Sequence, residues 1–264
     1  MVGVTLKRVD VKDFLWDYGI CLPFPLRLGP VGPVGVHPQW ARSDVSVFND
    51  RPRLLRTWGR DTAAALSELA KAVRSCSTTV YVHAVTNDSG EPESQLTAVA
   101  LTGADTVVVI ADQPQDVKVA VVPWQDTENT LMQFMPSATP WPFNPVRVRA
   151  AELQRACREA AAGAPPRTVA RMFTQCGMPP ELYRDVVDIG ERAEVRGFLG
   201  AAREDAHGHQ PSALSADFVT SPRGGFIRSV QGPEITFAPL TAAVVSRLLR
   251  TCPGTVPRTM PQRG

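Results

Sequence analysis

Residues 94–102 read SQLTAVALT and residues 212–220 read SALSADFVT, and this echo decides the fold. Ser94, Leu96, Thr97, Ala98, Leu101 and Thr102 are answered, 118 residues later, by Ser212, Leu214, Ser215, Ala216, Val219 and Thr220. The match runs on through Val117 and Val119 against Ile235 and Phe237, after which each copy meets a proline, Pro123 or Pro239, and a helix-like stretch. Runs of period two followed by one helical run make each copy a β-meander with a helix behind it. The fold class is therefore α+β: two pseudo-symmetric halves, each a mainly antiparallel β-meander followed by a helix, packed about a pseudo-two-fold axis, with a helical bundle between the two sheet segments.

Working outward from the first copy, TTVYVHAV at 78–85 is rich in β-branched residues, and Asn87, Asp88, Ser89 and Gly90 give a turn before the next strand. Gly103, Ala104 and Asp105 turn the chain into a strand at 106–111, and Gln113 and Pro114 turn it into another at 117–122, so four antiparallel strands are expected. Upstream, a short strand at 2–6 leads to a helix started by Asp10, with Val11, Phe14, Leu15 and Tyr18 on one face, and residues 61–76 form a second helix lined by Ala65, Leu66, Leu69 and Val73. Prolines between Pro23 and Pro38 hold an extended stretch that tucks Leu22, Phe24 and Leu26 inward. Three consecutive helices are expected at 150–162, 167–176 and 179–189, with Leu153, Cys157 and Ala160 sharing a face of the first, Gly177 stopping the second, and Pro180 opening and Gly190 ending the third. The second sheet segment runs through 193–202, 213–220, 225–230 and 234–238, and the last helix carries Leu240, Val244 and Leu248. The expected division is an N-terminal subdomain at 1–145, a C-terminal subdomain at 146–252 and a disordered tail at 253–264.

The 264 residues are 44% hydrophobic, enough for a sizeable core. The 28 basic and 26 acidic residues give a net charge of +2 and are spread along the chain, which offers no electrostatic footprint for nucleic acid. Cys21, Cys76, Cys157, Cys176 and Cys252 are odd in number and widely spaced, fitting neither a disulfide framework nor a zinc site, and a reducing cytoplasm is the expected location. Charges interrupt the opening MVGVTLKRVDVKDFLW where a secretory segment needs an apolar run, and nowhere do about 18 apolar residues run together, so no membrane insertion is expected.

The motifs of catalysis are missing: no GxxxxGKS/T loop, GxGxxG, GxSxG elbow or HExxH occurs. Gly224 and Gly225 read as a hairpin turn supplying positive φ. His83, in the middle of a strand, reads as a satisfied core or surface residue, and His207 and His209 lack the third and fourth ligands that zinc takes. Cys157 and Cys176 at helical core spacing read as small hydrophobes. The chain is thus read as no enzyme, with no cofactor and no metal. What remains is surface. A sheet with one face on helices can offer the other to a partner, with Thr106, Lys118, Arg228 and Ser229 as candidates. On the bundle, Arg171, Gln175, Tyr183 and Arg184 are placed opposite Val169, Phe173, Leu182 and Val186, completing a platform for a helical partner.

The stretches PPRTVARMFTQCGMPPELYRDVVDIGERAEVRGFLGAARED (165–205), SALSADFVTSPRGGFIRS (212–229) and ITFAPLTAAVVSRLLRTC (235–252), with FPLRLG (24–29) and VKVAVVPWQDTENTLMQFMP (117–136) in the first half, resemble the EspG family, the ESX secretion-associated proteins of mycobacteria and related actinobacteria. The resemblance extends from about Val4 to Cys252 and departs from the family at 30–58, which is proline-rich where many members are more helical. It implies a cytosolic chaperone of a type VII (ESX) secretion system that binds the tip of the PPE subunit in PE/PPE heterodimers, keeps the pair soluble and guides it to the ESX machinery. The contact surface it implies is the sheet at 106–122 with the bundle at 150–189. The alternative is an enzyme or small-molecule-binding protein of unrecognised type using His83 or the His207–His209 loop; a deep polar pocket would mark it, and a broad open surface would mark the chaperone. A third expectation, an adaptor held permanently in a larger assembly, calls for an apolar, obligate interface.

Overall fold

Antiparallel strands joined by short turns build one continuous sheet. The protein, described here by a computed structural model, is placed over residues 2–17, 22, 26, 59–76, 78–86, 94–102, 107–113, 116–205 and 208–251. The strands are β1 (Val2–Lys7), β2 (Thr78–Thr86), β3 (Ser94–Thr102), β4 (Val107–Asp112), β5 (Asp116–Val122), β6 (Val146–Arg149), β7 (Val195–Asp205), β8 (Gly208–Ser221), β9 (Gly224–Gln231) and β10 (Glu234–Pro239). The helices are α1 (Arg8–Asp17), α2 (Arg60–Ser75), α3 (Thr127–Met132), α4 (Ala150–Ala161), α5 (Pro166–Cys176), α6 (Pro180–Glu191) and α7 (Ala242–Thr251). The fold class is the expected one. Phe24, Thr106, His207, residues 27–58 and the tail at 253–264 lie outside the described residues.

The strand order is β1-β5-β4-β3-β2-β7-β8-β9-β10-β6, every neighbouring pair antiparallel. Each half supplies five strands in the same order, and the halves meet where β2 pairs with β7. The register there locates the axis. Tyr81 lies opposite Gly200 and Val82 opposite Leu199, and the 118-residue shift carries Tyr81 onto Leu199 and Val82 onto Gly200. The pseudo-two-fold therefore passes through the middle of these four residues. The same shift places Glu128 of α3 on Ser246 of α7 and Leu131 on Leu249. Ser246 donates a hydrogen bond to the Glu128 carboxylate, and both leucines are fully buried, so the two meander-closing helices also meet across the axis.

Three cores hold this arrangement. On one face α3 and α7 cover a core common to both halves, built from Val80, Val82, Ala98, Leu199, Ala216 and Phe218 with Leu131 and Leu249. On the other face α1 and α2 cover the first half, where Phe14, Leu15, Leu66 and Leu69 join Leu101, Ile110 and Val119. Leu22 and Leu26 are buried in this core, as the sequence implied. The second half of that face carries α4, α5 and α6, with Leu153, Ala156, Phe173, Cys176, Met178 and Ile189 packed against Phe226 and Phe237. Ala156, not the expected Cys157 or Ala160, is the fully buried partner of Leu153 on α4.

Proline and glycine act at defined positions. Pro166 and Pro180 occupy the first helical positions of α5 and α6, where the missing N–H has no helical partner to lose. Gly177 ends α5 in the left-handed conformation at φ 96°, and a side chain there would sit 2.7 Å from the Arg147 carbonyl oxygen. At the β8–β9 turn only Gly224 adopts positive φ, at 133°; Gly225 does not, a correction to the paired-glycine expectation. The segment joining the halves docks on that turn, with Trp141 N–H donating to the Gly225 carbonyl at 2.9 Å and Gly225 N–H to the Thr139 carbonyl at 2.8 Å.

Candidate functional site

Residues directly opposite one another in an antiparallel sheet point to the same face, so the register defines lateral rows of side chains. One row runs His83 (β2), Phe198 (β7), Asp217 (β8), Arg228 (β9) and Phe237 (β10). The neighbouring row on the same face runs Val85, Arg196, Val219 and Phe226. Together they floor an open cleft of about 470 Å³, walled by Val186 and Gly190 of α6. The strands supply the rows because successive side chains point to opposite faces of the sheet, so each second residue faces the cleft.

The polar groups of the cleft are largely engaged. His83 Nδ1 and Thr97 Oγ1 share a hydrogen bond at 2.8 Å, and the imidazole lies 4.8 Å from the Phe198 ring centroid, tilted by 36°. Arg228 directs Nε, at 2.9 Å, and a terminal nitrogen to Asp217 Oδ2. Arg196 donates to the main-chain carbonyl of Gly190 at the end of α6. The wall is pinned from outside as well: Arg223, in the β8–β9 turn, pairs with Asp188 and lies 3.9 Å from Asp185, both on α6, with its guanidinium 4.7 Å over the Trp141 ring. Helix, hairpin and connecting segment are thereby tied at one corner of the cleft.

The sequence candidates fall in several places. Arg228 is in the cleft, but Ser229 follows it on the strand and faces the opposite side of the sheet, in the row Lys118, Ala111, Ala98, Val82, Leu199, Ala216, Ser229 beneath α3 and α7. Lys118 belongs to that same row, so the proposed sheet patch is split between two faces. Arg171, Gln175 and Arg184 are exposed on α5 and α6, as placed. Tyr183 is not on an outer face: it is half-buried and stacks on Phe173 with ring centroids 3.9 Å apart. Burial and the neighbouring Cys157 thiol push its phenol above the ordinary value. α6 is packed on α5 along one side and on the sheet along another, and two contact sides bury a wider stripe than one. Of the two strands at 106–122, β4 is buried along its whole length, and on β5 Lys118 alone is exposed, on the side of α3 and α7. Instead β2, β7, β8 and β9 lie beside the bundle.

Sequence reasoning missed Arg196, Phe198, Asp217, Val186 and Gly190. Their signal is Arg196–Phe198, Asp217–Val219 and Phe226–Arg228, three i,i+2 pairs of one charged and one apolar residue on successive strands. Gly190 was expected to end α6 but lies inside it; the helix continues to Glu191, and the Arg192 N–H still donates to the Asp188 carbonyl at 3.2 Å. Burial pushes the Cys176 thiol up, in keeping with its place in the core. Among the described residues no three His, Cys, Asp or Glu side chains gather as metal ligands, and no helix is long and apolar enough to cross a membrane.

The chain matches no curated protein sequence. It is similar in structure to the Mycobacterium tuberculosis type VII secretion system chaperone EspG5, solved in complex with the PE25–PPE41 dimer, with a TM-score of 0.66 over 97% of both chains at 16% identity. The EspG family model matches residues 10–251. That match runs from within α1 to the end of α7 and takes in the whole cleft, and the chain belongs to the EspG family.

Proposed function

We propose that this protein is a cytosolic chaperone of a type VII (ESX) secretion system that binds a PE/PPE heterodimer through the tip of its PPE subunit, keeps the pair soluble and guides it to the ESX machinery. The observation that carries this reading is the open cleft, where parts of two rows of the central sheet stay uncovered beside α6, in a fold shared along its length with a chaperone solved with a PE/PPE dimer. A helical hairpin with an apolar tip self-associates through that tip, because large exposed apolar patches drive aggregation. A surface that pairs apolar floor residues with charged ones shields such a tip while staying polar enough to release it. An interface of about 1,600 Å² is typical of specific but separable complexes. The cleft supplies its centre, and the exposed Arg171, Gln175 and Arg184 are the bundle positions proposed to extend it; Lys118 and Ser229, on the other face, are not carried into this interface.

The alternative, a binder of small polar molecules around His83, finds less support. His83 does line the cleft, but it is engaged by Thr97, and Asp217 by Arg228. The deciding experiment is co-expression with PE/PPE pairs encoded by the same genome, scored by size-exclusion chromatography. A stable complex holding one copy of each of the three chains is expected for at least one pair; a folded protein that retains none of them overturns the reading.

A further inference from the structure

Gly190 occupies the last turn of α6, where glycine is unfavourable because it gives up more backbone freedom than any other residue. Neither backbone nor packing demands it. Its φ is not positive, and a side chain placed there would meet nothing within 4 Å. What the glycine does is leave a notch in the wall of the cleft, opposite the apolar surfaces of Phe198, Val219 and Phe226 and beside Val186. Arg196 rises from the floor next to this notch, between Val85 and Val219 in its row, and its side chain donates to the Gly190 carbonyl. The carboxylate of the cleft, Asp217, is already held by Arg228. Among the described residues, the cleft thus carries one cation without a carboxylate, set against an apolar recess.

We infer that this recess is the specificity pocket of the interface: it takes a large apolar side chain of the client in the Gly190 notch, with a client carboxylate within one helical turn of it on Arg196. The inference rests on the client-binding reading above and deepens it. The volume of about 470 Å³ exceeds a single side chain and suits the end of a helix or a tight interhelical turn. A client lacking the acid leaves Arg196 desolvated beneath it, and one lacking the apolar residue leaves the notch empty, so the pair of features discriminates among clients of similar shape.

The test uses a PE/PPE pair that co-purifies with the wild-type protein, titrated by calorimetry against full-length variants. Gly190→Trp and Arg196→Glu are each expected to weaken binding by about tenfold or more, while Gly190→Ala stays close to wild type. Arg196 is exposed and Gly190 has open space above it, so circular dichroism and melting should show both variants folded. Reversal of one acidic residue at the client tip to arginine is expected to restore binding to Arg196→Glu. Wild-type affinity in both Gly190→Trp and Arg196→Glu overturns the pocket while leaving the chaperone reading intact. If no pair binds the wild type, the chaperone reading falls and the pocket with it.

Discussion

Two glycines show how differently one residue type serves this molecule. At Gly197 a side chain would stand 2.2 Å from the Phe218 ring and 2.3 Å from the His83 carbonyl oxygen, because Phe218 lies directly opposite and lays its ring across the bare backbone. At Gly190 the same addition meets nothing. The Gly197→Ala variant should therefore lose about 3 kcal/mol, at the upper end of overpacking costs. Gly190→Ala should gain about 0.5–1 kcal/mol through its more rigid unfolded chain and better helix propensity. Urea unfolding of the two variants checks both signs. Neither role is visible in the sequence, where Gly190 resembles a helix stop and Gly197 an ordinary break in a strand. A glycine is informative only once the register shows what lies across from it. Tyr183 makes the same point, since helical periodicity alone does not reveal a second packed side.

Among the elements, α3 and α7 form the clasp between the halves. Arg250 Nε reaches Glu128 Oε2 at 2.7 Å, its terminal nitrogen reaches Oε1 at 3.2 Å, and Ser246 donates to the same carboxylate. The Arg250 hydrogen bond foremost, with help from Ser246, holds the Glu128 carboxyl below its ordinary value of 4.5 against the opposing effect of burial. A lowered folded-state value means a contribution present above that ordinary value and lost as pH falls through the lower, folded one. Glu128→Gln should thus be less stable than wild type at pH 7, and the difference should close as the pH is lowered below 4.5, measured by denaturant midpoints across that range. On the bundle, Arg171→Glu combined with Arg184→Glu alters two exposed positions without touching a core. That double variant should bind the client more weakly by about tenfold with unchanged melting temperature; full binding would confine the interface to the cleft. Helices and strands of this chain are largely legible in advance, because Pro166, Pro180, Gly177 and the alternating runs act locally. The clasp is not, since Glu128 and Ser246 meet only when the repeat is folded about its axis.

For the molecule as a whole, the β2–β7 seam pairs nine residues on each strand, from Thr78 with Arg203 to Thr86 with Val195. A sheet continuous through its centre, with one core shared by both halves, should unfold as one cooperative unit. Scanning calorimetry is expected to show a single transition, and two separated transitions would show the halves to be independent. The repeat of 118 residues, legible from SQLTAVALT and SALSADFVT, announces two halves. It does not reveal that they merge edge to edge, because side-chain alternation is the same whether a strand lies at an edge or in the middle. The cleft is hidden for the same reason: its rows are written across five strands and exist only in the register.

The seam also sets a schedule. β2 and β7 are separated by about a hundred residues of chain, so on a ribosome adding roughly 5–20 residues per second the edge of β2 waits about 5–20 seconds for its partner. During that interval a nascent chain offers one open edge of the nine-residue strand TTVYVHAVT, whose other edge pairs with β3, the kind of edge along which chains join one another. A protein proposed to guard the sticky ends of others is itself born with one, and its yield in the cell should depend on how quickly its second half arrives.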